Sequence, residues 1–452
     1  MRTAIVAGVG LGILYTLSPL TVICLAALAV LVGRVSRDLS PRERGWFLSL
    51  VGVALAVRLA AIGLLCVLAD PARPYANFFG DEELFKSRTV WMRNIGLGVP
   101  ISPADMIYVY DEVGRSSFLY LLAYIQALVG DAPYGINVLN ATLYVAAVTL
   151  LFAFVRRVYG SMTALAGATF LLFVPSLFSW SIAVLKEPLY IFVAAIEIIF
   201  AAQIVRAATP LRRVAAVVGV IACAAILGSL RVGGVQLAMV GTLVGLPAGL
   251  IVSRPRLAFA SLVVVPLAVA LAFTQPRLQA RVMATVQEAA FQHWGHVYTP
   301  GYSYKLLDWR FYGDGRRSVY TMTPPEAGRF VVRAFAGFIT VPRATQIESR
   351  SALAYLPEQA LWYAILLLVP FGVVAGIRRA PVVTCLLLAH GLTATGMVAL
   401  TAGNIGTLIR HRGLSLPYFT FLAAFGACHV VYWLHSRSSN VALLHAPPGE
   451  HP

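Results

Sequence analysis

Long apolar runs separated by short polar connections recur along most of the chain. Most of these runs reach about 20 residues, the length that an α-helix needs to cross the hydrocarbon core of a bilayer. They lie over residues 4–33, 46–69, 134–156, 161–178, 187–206, 212–229, 234–252, 257–274, 357–377, 381–401 and 414–434. The pattern therefore predicts an all-α integral membrane protein with about eleven transmembrane helices.

Composition supports this fold class. Hydrophobic residues make up 59% of the 452 residues, charged residues only 12%, and the mean hydropathy is +0.79. A soluble chain of this length needs far more polar surface. The formal net charge is +16, but the basic residues fall between apolar runs and form no single patch, which excludes nucleic acid as a partner. All five cysteines lie inside apolar runs, so we expect neither disulfides nor a zinc site.

Arginine clusters predict the orientation of the helices. They occupy alternate short connections: Arg34, Arg37, Arg42 and Arg44; Arg156 and Arg157; Arg206, Arg212 and Arg213; Arg254 and Arg256; Arg378 and Arg379. Because short Arg-rich loops stay in the cytoplasm, we expect the N-terminus outside and the C-terminus inside. The apolar stretch 117–130 is too short to span, and we predict a helix lying at the outer membrane surface.

This orientation divides the chain into three parts. Residues 1–45 would form an extra N-terminal transmembrane helix with a basic cytoplasmic loop, residues 46–434 the main transmembrane domain, and residues 435–452 a disordered cytoplasmic tail. Outer segments 70–133 and 275–356 interrupt the main domain, and we expect interfacial helices in both. Most of the 19 acidic residues lie in these two segments, which indicates either chemistry at the outer face or long polar loops.

The stretch FFGDEELF (78–85) places three consecutive carboxylates among aromatic residues shortly after the second predicted span. Asp81 and Glu82 are the candidate catalytic residues. A carboxylate here could accept a proton from a hydroxyl group or hold a divalent metal ion. A solvated acidic turn explains the same residues, and we assign Glu83 a structural role.

Basic residues recur at three other predicted outer positions. Lys186 and Glu187 precede Pro188, which suits a helix start, so an anion could bind there; a Lys–Glu pair that merely ends a span is the alternative. The stretch GNIGTLIRHR carries the cationic candidates Arg410, His411 and Arg412, with Asn404 in support, and Arg231 lies in the turn SLRVGG. Arginines at headgroup depth outside the cell suit a lipid phosphate. We expect the acidic and basic residues to meet in one outer pocket.

Further polar residues have weaker implications. His293 and His296 share a helical face but lack further ligands at metal spacing. The aromatic residues around them are typical of either a sugar-stacking surface or a membrane interface. The stretch 326–339 predicts an amphipathic helix on the membrane. Arg58 and Glu197 lie inside predicted spans, where ionisable groups are often functional, although snorkelling or an interhelical bond is an equal explanation.

Three stretches of the chain resemble bacterial members of the GT-C superfamily of membrane glycosyltransferases, which includes protein mannosyltransferases and lipid A aminoarabinose transferases. Asp81 and Glu82 resemble the acidic pair of that family's first outer loop. The stretch NVLNATLYVAAVTLLFAFVRRVYG, followed by a Pro-ended span and LKEP, resembles the segment after that loop. LPEQALWYAILLLVPFGV and GNIGTLIRHR resemble the C-terminal part of bacterial relatives. The chain departs from the mannosyltransferases in its extra N-terminal helix and in lacking a large soluble domain after the spans.

The resemblance implies a reaction and a location. Such enzymes take a sugar from a polyprenyl-phosphate carrier at the extracytoplasmic face of the bacterial inner membrane and transfer it to a glycan, a lipid or a protein. Asp81 would be the base, with Glu82 assisting it or binding a divalent metal ion. Lys186, Arg231, Arg410, His411 and Arg412 would bind the donor phosphate, supported by Glu187 and Asn404. Membrane lipids and polysaccharide-assembly proteins of the cell envelope are the further expected partners.

Three other functions remain open at this point. An O-antigen polymerase or ligase also has many spans, and would depend on the arginines and histidines of segment 275–356. A transporter or flippase for lipid-linked saccharides would place charges along a path through the membrane midplane. A non-catalytic partner of a polysaccharide export complex is the third alternative.

Overall fold

The computed structural model describes residues 18–69, 80–109, 116–130, 134–299, 302–313, 316–343 and 355–444, together with Gly8, Gly10 and Gly12. These residues fold almost entirely into helices. Within them no strand is formed, and Ser303 and Asn404 make an isolated antiparallel bridge. The predicted all-α class is confirmed.

The helices are numbered along the described chain. They are α1 (Pro19–Ser36), α2 (Pro41–Leu68), α3 (Gly80–Gly96), α4 (Pro103–Val109), α5 (Ser117–Val129), α6 (Gly135–Tyr159), α7 (Ser161–Phe173), α8 (Pro175–Ile182), α9 (Glu187–Arg206), α10 (Pro210–Leu230), α11 (Gly234–Val252), α12 (Pro255–Phe273), α13 (Pro276–Val297), α14 (Arg310–Gly313), α15 (Pro324–Thr340), α16 (Tyr355–Arg379), α17 (Pro381–Thr401), α18 (Ile405–Arg412) and α19 (Leu416–Leu444), with a 3-10 helix at Arg316–Thr321.

Ten of the described helices are long and apolar enough to cross a bilayer: α1, α2, α6, α9, α10, α11, α12, α16, α17 and α19. Helices α7 and α8 make an eleventh span if they are taken together. The chain is therefore a multi-pass membrane protein. Most of residues 4–17, which the sequence assigns to the first span, lie outside the described residues, as do Phe78 and Phe79.

The predicted span 161–178 is broken, which corrects the sequence interpretation. Helices α7 and α8 are bent by 62°, and Pro175 begins the second of them. Proline has no N–H for the carbonyl four residues earlier, and the Leu171 carbonyl instead accepts a hydrogen bond from the Tyr144 hydroxyl at 2.5 Å. The Leu172 carbonyl accepts from Arg58 Nη2 at 2.8 Å. The intramembrane Arg58 thus stabilises the broken helix.

The chain divides into two compact units. Unit 1 comprises Met1–Phe154 and Ala168–Met239, and unit 2 comprises Val155–Gly167 and Val240–Pro452. In unit 1, the absence of a side chain at Gly219 of α10 leaves space for the ring of Phe200. In unit 2, Gly372 of α16 lies against the Leu422 carbonyl of α19. Small residues of this kind allow helices in membranes to approach closely.

The sequence predicts that residues 117–130 and the C-terminal tail do not span the membrane, and the structure describes helices in both. Helix α5 has 13 residues, too few to cross a bilayer, and it exposes Tyr120, Tyr124 and Leu128 along one face. Its position at the membrane interface stays a prediction. The tail was expected to be disordered from residue 435, but α19 continues to Leu444; residues 445–452 lie outside the described part of the chain.

Candidate functional site

The acidic stretch forms the first turn of α3, in unit 1. Carboxylates are favoured there because the N-terminal end of a helix carries partial positive charge. Glu82 and Lys86 are four residues apart and so lie on one helix face. Lys86 Nζ is 2.9 Å from Glu82 Oε1, and the two residues are only 4% and 0% exposed. Asp81, by contrast, is exposed, and Glu83 is half-buried.

Asn137, in the first turn of α6, holds the buried carboxylate. Its Nδ2 donates to Glu82 Oε1 and to the Ile182 carbonyl, both at 2.8 Å. A buried ion pair is tolerable only when further hydrogen bonds compensate for the loss of water. Asn137 supplies one of these bonds and connects α3 to the end of α8.

Asn140 holds the segment that leads into α9. Its Nδ2 donates to the carbonyls of Ala183 (2.8 Å) and Leu185 (2.7 Å), so one amide group orders the irregular chain between α8 and α9. Lys186 follows directly as the N-cap residue of α9 and is half-buried. The two asparagines of α6 therefore connect the acidic turn with the segment that carries Lys186.

Glu187 and Arg231, both candidates from the sequence, form an ion pair in unit 1. Arg231 Nη1 lies 3.7 Å from Glu187 Oε1, and Glu187 is buried. Arg231 is the residue that ends α10, and Glu187 begins α9. The pair therefore joins the start of α9 to the end of α10, and it neutralises part of the positive charge that the sequence assigned to an anion site.

Four polar atoms of this cluster are buried with no hydrogen-bond partner: Glu82 Oε2, Lys86 Nζ, Asn137 Oδ1 and Asn140 Oδ1. Lys86 Nζ retains its ion pair with Glu82. Buried polar groups nearly always find partners in folded proteins, and exceptions call for an explanation such as a functional role or bound water. Because these four atoms belong to α3 and α6 and two of them to an ion pair, we take this cluster as the candidate functional site.

A divalent metal ion does not fit the acidic turn well. Among the described residues, His, Cys, Asp and Glu side chains nowhere gather in a group of three or more that could hold a metal ion. The ammonium group of Lys86 already lies against Glu82 Oε1, where a second cation would be repelled. The arrangement favours chemistry based on the side chains themselves.

The second group of candidates lies in unit 2, around α18. Asn404 caps this helix, and its Oδ1 accepts from the N–H groups of Gly406 (2.8 Å) and Thr407 (3.4 Å). Its backbone also pairs with Ser303. Asn404 therefore caps the start of the cationic helix, and its support of a phosphate site stays a prediction. Arg410 and His411 lie half-buried in the last turn of α18, where the helix dipole favours positive charge.

Arg412, which the sequence assigns to the donor phosphate, bonds the protein through both of its terminal nitrogens. It is buried, and Nη1 donates to Gln359 Oε1 at 2.7 Å. Nη2 donates to the carbonyls of Phe338 (2.7 Å) and Val341 (2.6 Å) at the end of α15. Burial lowers the pKa of the guanidinium to about 10, so it stays charged at neutral pH. The terminal nitrogens are thus committed to the protein.

His293 is a structural residue. Its Nδ1 donates to the Ala402 carbonyl at 2.7 Å, and Nε2 lies 3.1 Å from the Tyr312 hydroxyl and 3.3 Å from the Leu306 N–H. Burial lowers the pKa of the imidazole to about 4, which keeps the ring neutral at physiological pH. Its neighbour His296 bonds the Thr401 carbonyl at 2.7 Å.

Exposed ion pairs connect α14 and the residues before it to α15 in unit 2. Asp308 bonds Arg329 and Arg333 of α15, and these bonds hold the pKa of its carboxyl group below the usual range. Arg310 bonds both oxygens of Glu326 at 2.7 Å. The arginine face of the predicted amphipathic helix therefore interacts with acidic partners of the same segment.

Taken together, unit 1 brings Glu82 next to Lys86 and Asn137, and Glu187 next to Arg231. Unit 2 contains Asn404, Arg410, His411 and Arg412 on or beside α18. The expected meeting of these acidic and basic groups in one pocket stays a prediction.

Sequence reasoning missed Lys86, Asn137 and Asn140. The spacing of Glu82 and Lys86, four residues apart on a helix, was an available signal. Nothing in the local sequence indicated that the two asparagines bond carbonyls more than 40 residues away.

Comparison of the chain with protein families, with curated proteins and with solved structures yields no match.

Proposed function

We propose that the protein is a glycosyltransferase that moves a sugar from a polyprenyl-phosphate carrier to a hydroxyl group at the outer face of the bacterial inner membrane. The observation that carries this proposal is the buried Glu82 carboxylate. One of its oxygens is fixed by Lys86 and Asn137, and the other accepts no hydrogen bond. A carboxylate held in one position with an oxygen to spare is suited to receive a proton.

The proposed reaction has one bond-forming and one bond-breaking event. Glu82 Oε2 takes the proton of the acceptor hydroxyl, whose oxygen forms a bond to the anomeric carbon of the donor sugar. The bond from that carbon to the phosphate oxygen breaks, and the electron pair leaves with the polyprenyl phosphate. Attack opposite the leaving group inverts the anomeric configuration. We assign the base to Glu82 rather than to Asp81, because Glu82 is buried and Asp81 is exposed.

The departing phosphate gains negative charge and needs cations nearby. Lys186 is the candidate in unit 1, since its segment is ordered by Asn140 and adjoins the positive end of α9. Arg231 contributes charge beside the same helix end, although Glu187 shares it. Preorganised cations of this kind each contribute about 3 kcal/mol to a transition state. Arg410 and His411 of unit 2 remain proposed phosphate ligands, and Arg412 does not.

Two rival functions receive less support from the arrangement of side chains. A polymerase or ligase would use the histidines and arginines of the second outer segment, yet His293 is buried and bonded on both nitrogens. Arg310 is paired with Glu326. A transporter would use intramembrane charges, yet Arg58 bonds the backbone of its own unit at Ala54 and Leu172.

The test is a transfer assay with the purified protein in liposomes and a panel of polyprenyl-linked sugars. Glu82→Gln removes the base and should lower the transfer rate by about 100-fold or more, with Asp81→Asn losing less. Glu83→Gln is the matched control, since it makes the same chemical change one residue away and should retain activity. Equal turnover of wild type and Glu82→Gln overturns the assignment of the base, and no turnover with any donor overturns the proposed reaction.

A further inference from the structure

The candidate site has an unusual balance of donors and acceptors. Glu82 Oε2, Asn137 Oδ1 and Asn140 Oδ1 are acceptors that receive no hydrogen bond, and Lys86 Nζ is the donor that makes none. All four belong to α3 and α6 of unit 1 and are enclosed by protein. Leaving so many buried polar atoms unsatisfied lowers the stability of the fold. A ligand that satisfies several of them at once would recover this free energy.

The charges of the cluster exclude two classes of ligand. An ammonium group would find acceptors on Glu82 and the asparagines but would be repelled by Lys86. A carboxylate or phosphate would be attracted by Lys86 but repelled by Glu82 and by the two amide oxygens. A charged ligand would pair with one member of the buried pair and leave the other uncompensated beside a like charge. Lys86 therefore excludes cationic ligands, and Glu82 excludes anionic ligands. The net charge of zero on Glu82 and Lys86 favours a neutral ligand.

A hydroxyl group fits both halves of the cluster. It donates one hydrogen bond, which Glu82 Oε2 or an asparagine oxygen can accept, and it accepts hydrogen bonds, which the Lys86 ammonium can donate. Both asparagine amide nitrogens are already committed to Glu82 Oε1 and to backbone carbonyls, which fixes the direction in which their free oxygens accept.

We infer that Glu82, Lys86, Asn137 and Asn140 form a binding site for an uncharged, hydroxyl-rich sugar, with the Glu82–Lys86 pair as the determinant that rejects amino sugars and sugar acids. This inference rests on the proposed function in one respect: it names the substrate class of that same site. The four atoms are enclosed, so binding requires displacement of α3 or of the chain around it. A sugar that reaches these four atoms would give them the hydrogen-bond partners that the protein does not supply.

Binding is tested separately from transfer. The full chain in lipid nanodiscs is mixed with methyl glucoside, glucosamine or glucuronate, and ligand-detected NMR measures each Kd. The wild type should bind the neutral sugar at least about tenfold more tightly than either charged one, a factor set by a single charge contact. Lys86→Met should shift the preference to glucosamine, and Glu82→Gln should shift it to glucuronate.

Two further variants keep the test decisive. Thr149→Val changes another buried and unpartnered group on α6 and should bind like the wild type. The double variant Glu82→Gln with Lys86→Met removes both charges, so it leaves no unpaired ion, and it should bind all three sugars alike. If one of the single variants fails to fold, the double variant is measured in its place.

The outcomes separate the site from the proposed reaction. Absence of sugar binding by folded wild-type protein would mean that the cluster holds only water, and would overturn the inference. The same holds if the single variants leave the charge preference unchanged. Charge-dependent binding without transfer would reject the reaction and leave the site standing.

Discussion

Two buried cations, Lys86 in unit 1 and Arg412 in unit 2, differ in how many of their donors are bonded, although Arg412 Nε also has no hydrogen-bond partner. Arg412 donates through both terminal nitrogens to Gln359 and to the carbonyls of Phe338 and Val341. Its guanidinium also lies over the ring of Trp362, at 5.1 Å from the centroid. Lys86 has its ion pair with Glu82 and no hydrogen-bond acceptor.

This difference distinguishes buried charges that hold the fold together from buried charges that belong to a functional site. A cation whose donors end on backbone carbonyls ties elements together, and its removal strands those carbonyls. A buried pair that leaves an oxygen and an ammonium unsatisfied costs stability, and such a cost is typical of functional positions. By this criterion Arg412 ranks as structural, and the proposed site is the cluster on α3 and α6.

The membrane topology of unit 1 is tested by cysteine labelling, in which each position is either labelled or not. Asp105, in α4, is expected outside, and Ala208, in the exposed turn between α9 and α10, is expected inside. In intact cells a membrane-impermeant maleimide should label a cysteine at 105 and not at 208, in a background that lacks the native cysteines. The reverse pattern contradicts the proposed outer location of the site.

Replacing Arg412 should have the largest effect on stability. Arg412→Met leaves the carbonyls at the end of α15 without donors and should cost about 3–5 kcal/mol in the free energy of unfolding. Arg378→Met, at an exposed arginine of α16, should cost less than about 0.5 kcal/mol. Denaturation followed by tryptophan fluorescence measures both. Equal stability of the two variants would mean that Arg412 is not a scaffold residue.

Lowering the pH should reduce the free energy of unfolding of unit 2, because His293 becomes protonated. The pKa of its imidazole is lowered by burial to about 4 in the folded protein, against about 6.5 in the unfolded chain. The unfolded state therefore binds the proton first, and stability present above pH 6.5 is lost as the pH falls through 4. The loss is on the order of 3 kcal/mol. His293→Gln should flatten the stability profile between pH 6.5 and 4, and an unchanged slope would contradict this role.

The exposed pair of Arg310 and Glu326 should have the smallest effect. Hydrogen bonds from Arg310 and Thr323 lower the pKa of Glu326 to about 2, so its contribution is present above pH 4.5 and is lost as the pH falls through 2. Solvent screens such a pair, and Arg310→Met should cost less than about 1 kcal/mol. Thermal unfolding at pH 7 measures the cost. A loss as large as that of Arg412→Met would contradict the distinction between exposed and buried cations.

Hydropathy alone located the spans closely, and the sequence intervals 187–206, 234–252 and 381–401 coincide with α9, α11 and α17. It did so because the bilayer leaves few alternatives to an apolar helix of about 20 residues. It missed the break at Pro175, whose cost depends on donors from Tyr144 and Arg58 in other helices.

The candidate site was predictable only in part. Local sequence indicated the acidic turn, because charge density and flanking aromatics are visible along the chain. The ranking of Glu82 above Asp81 depends on which side of α3 faces α6, and that is a property of packing. The hydrogen bonds of Arg412 could not be predicted for the same reason, since its partners Phe338 and Gln359 come from distant helices.

The most direct test of the account is an electron cryo-microscopy map of the full chain in nanodiscs with saturating methyl glucoside, the neutral sugar of the binding assay. We expect a sugar hydroxyl at about 3 Å from Glu82 Oε2, with Lys86 and Asn137 around it. Sugar density bound away from α3 and α6, with the cluster unchanged, would contradict the central claim.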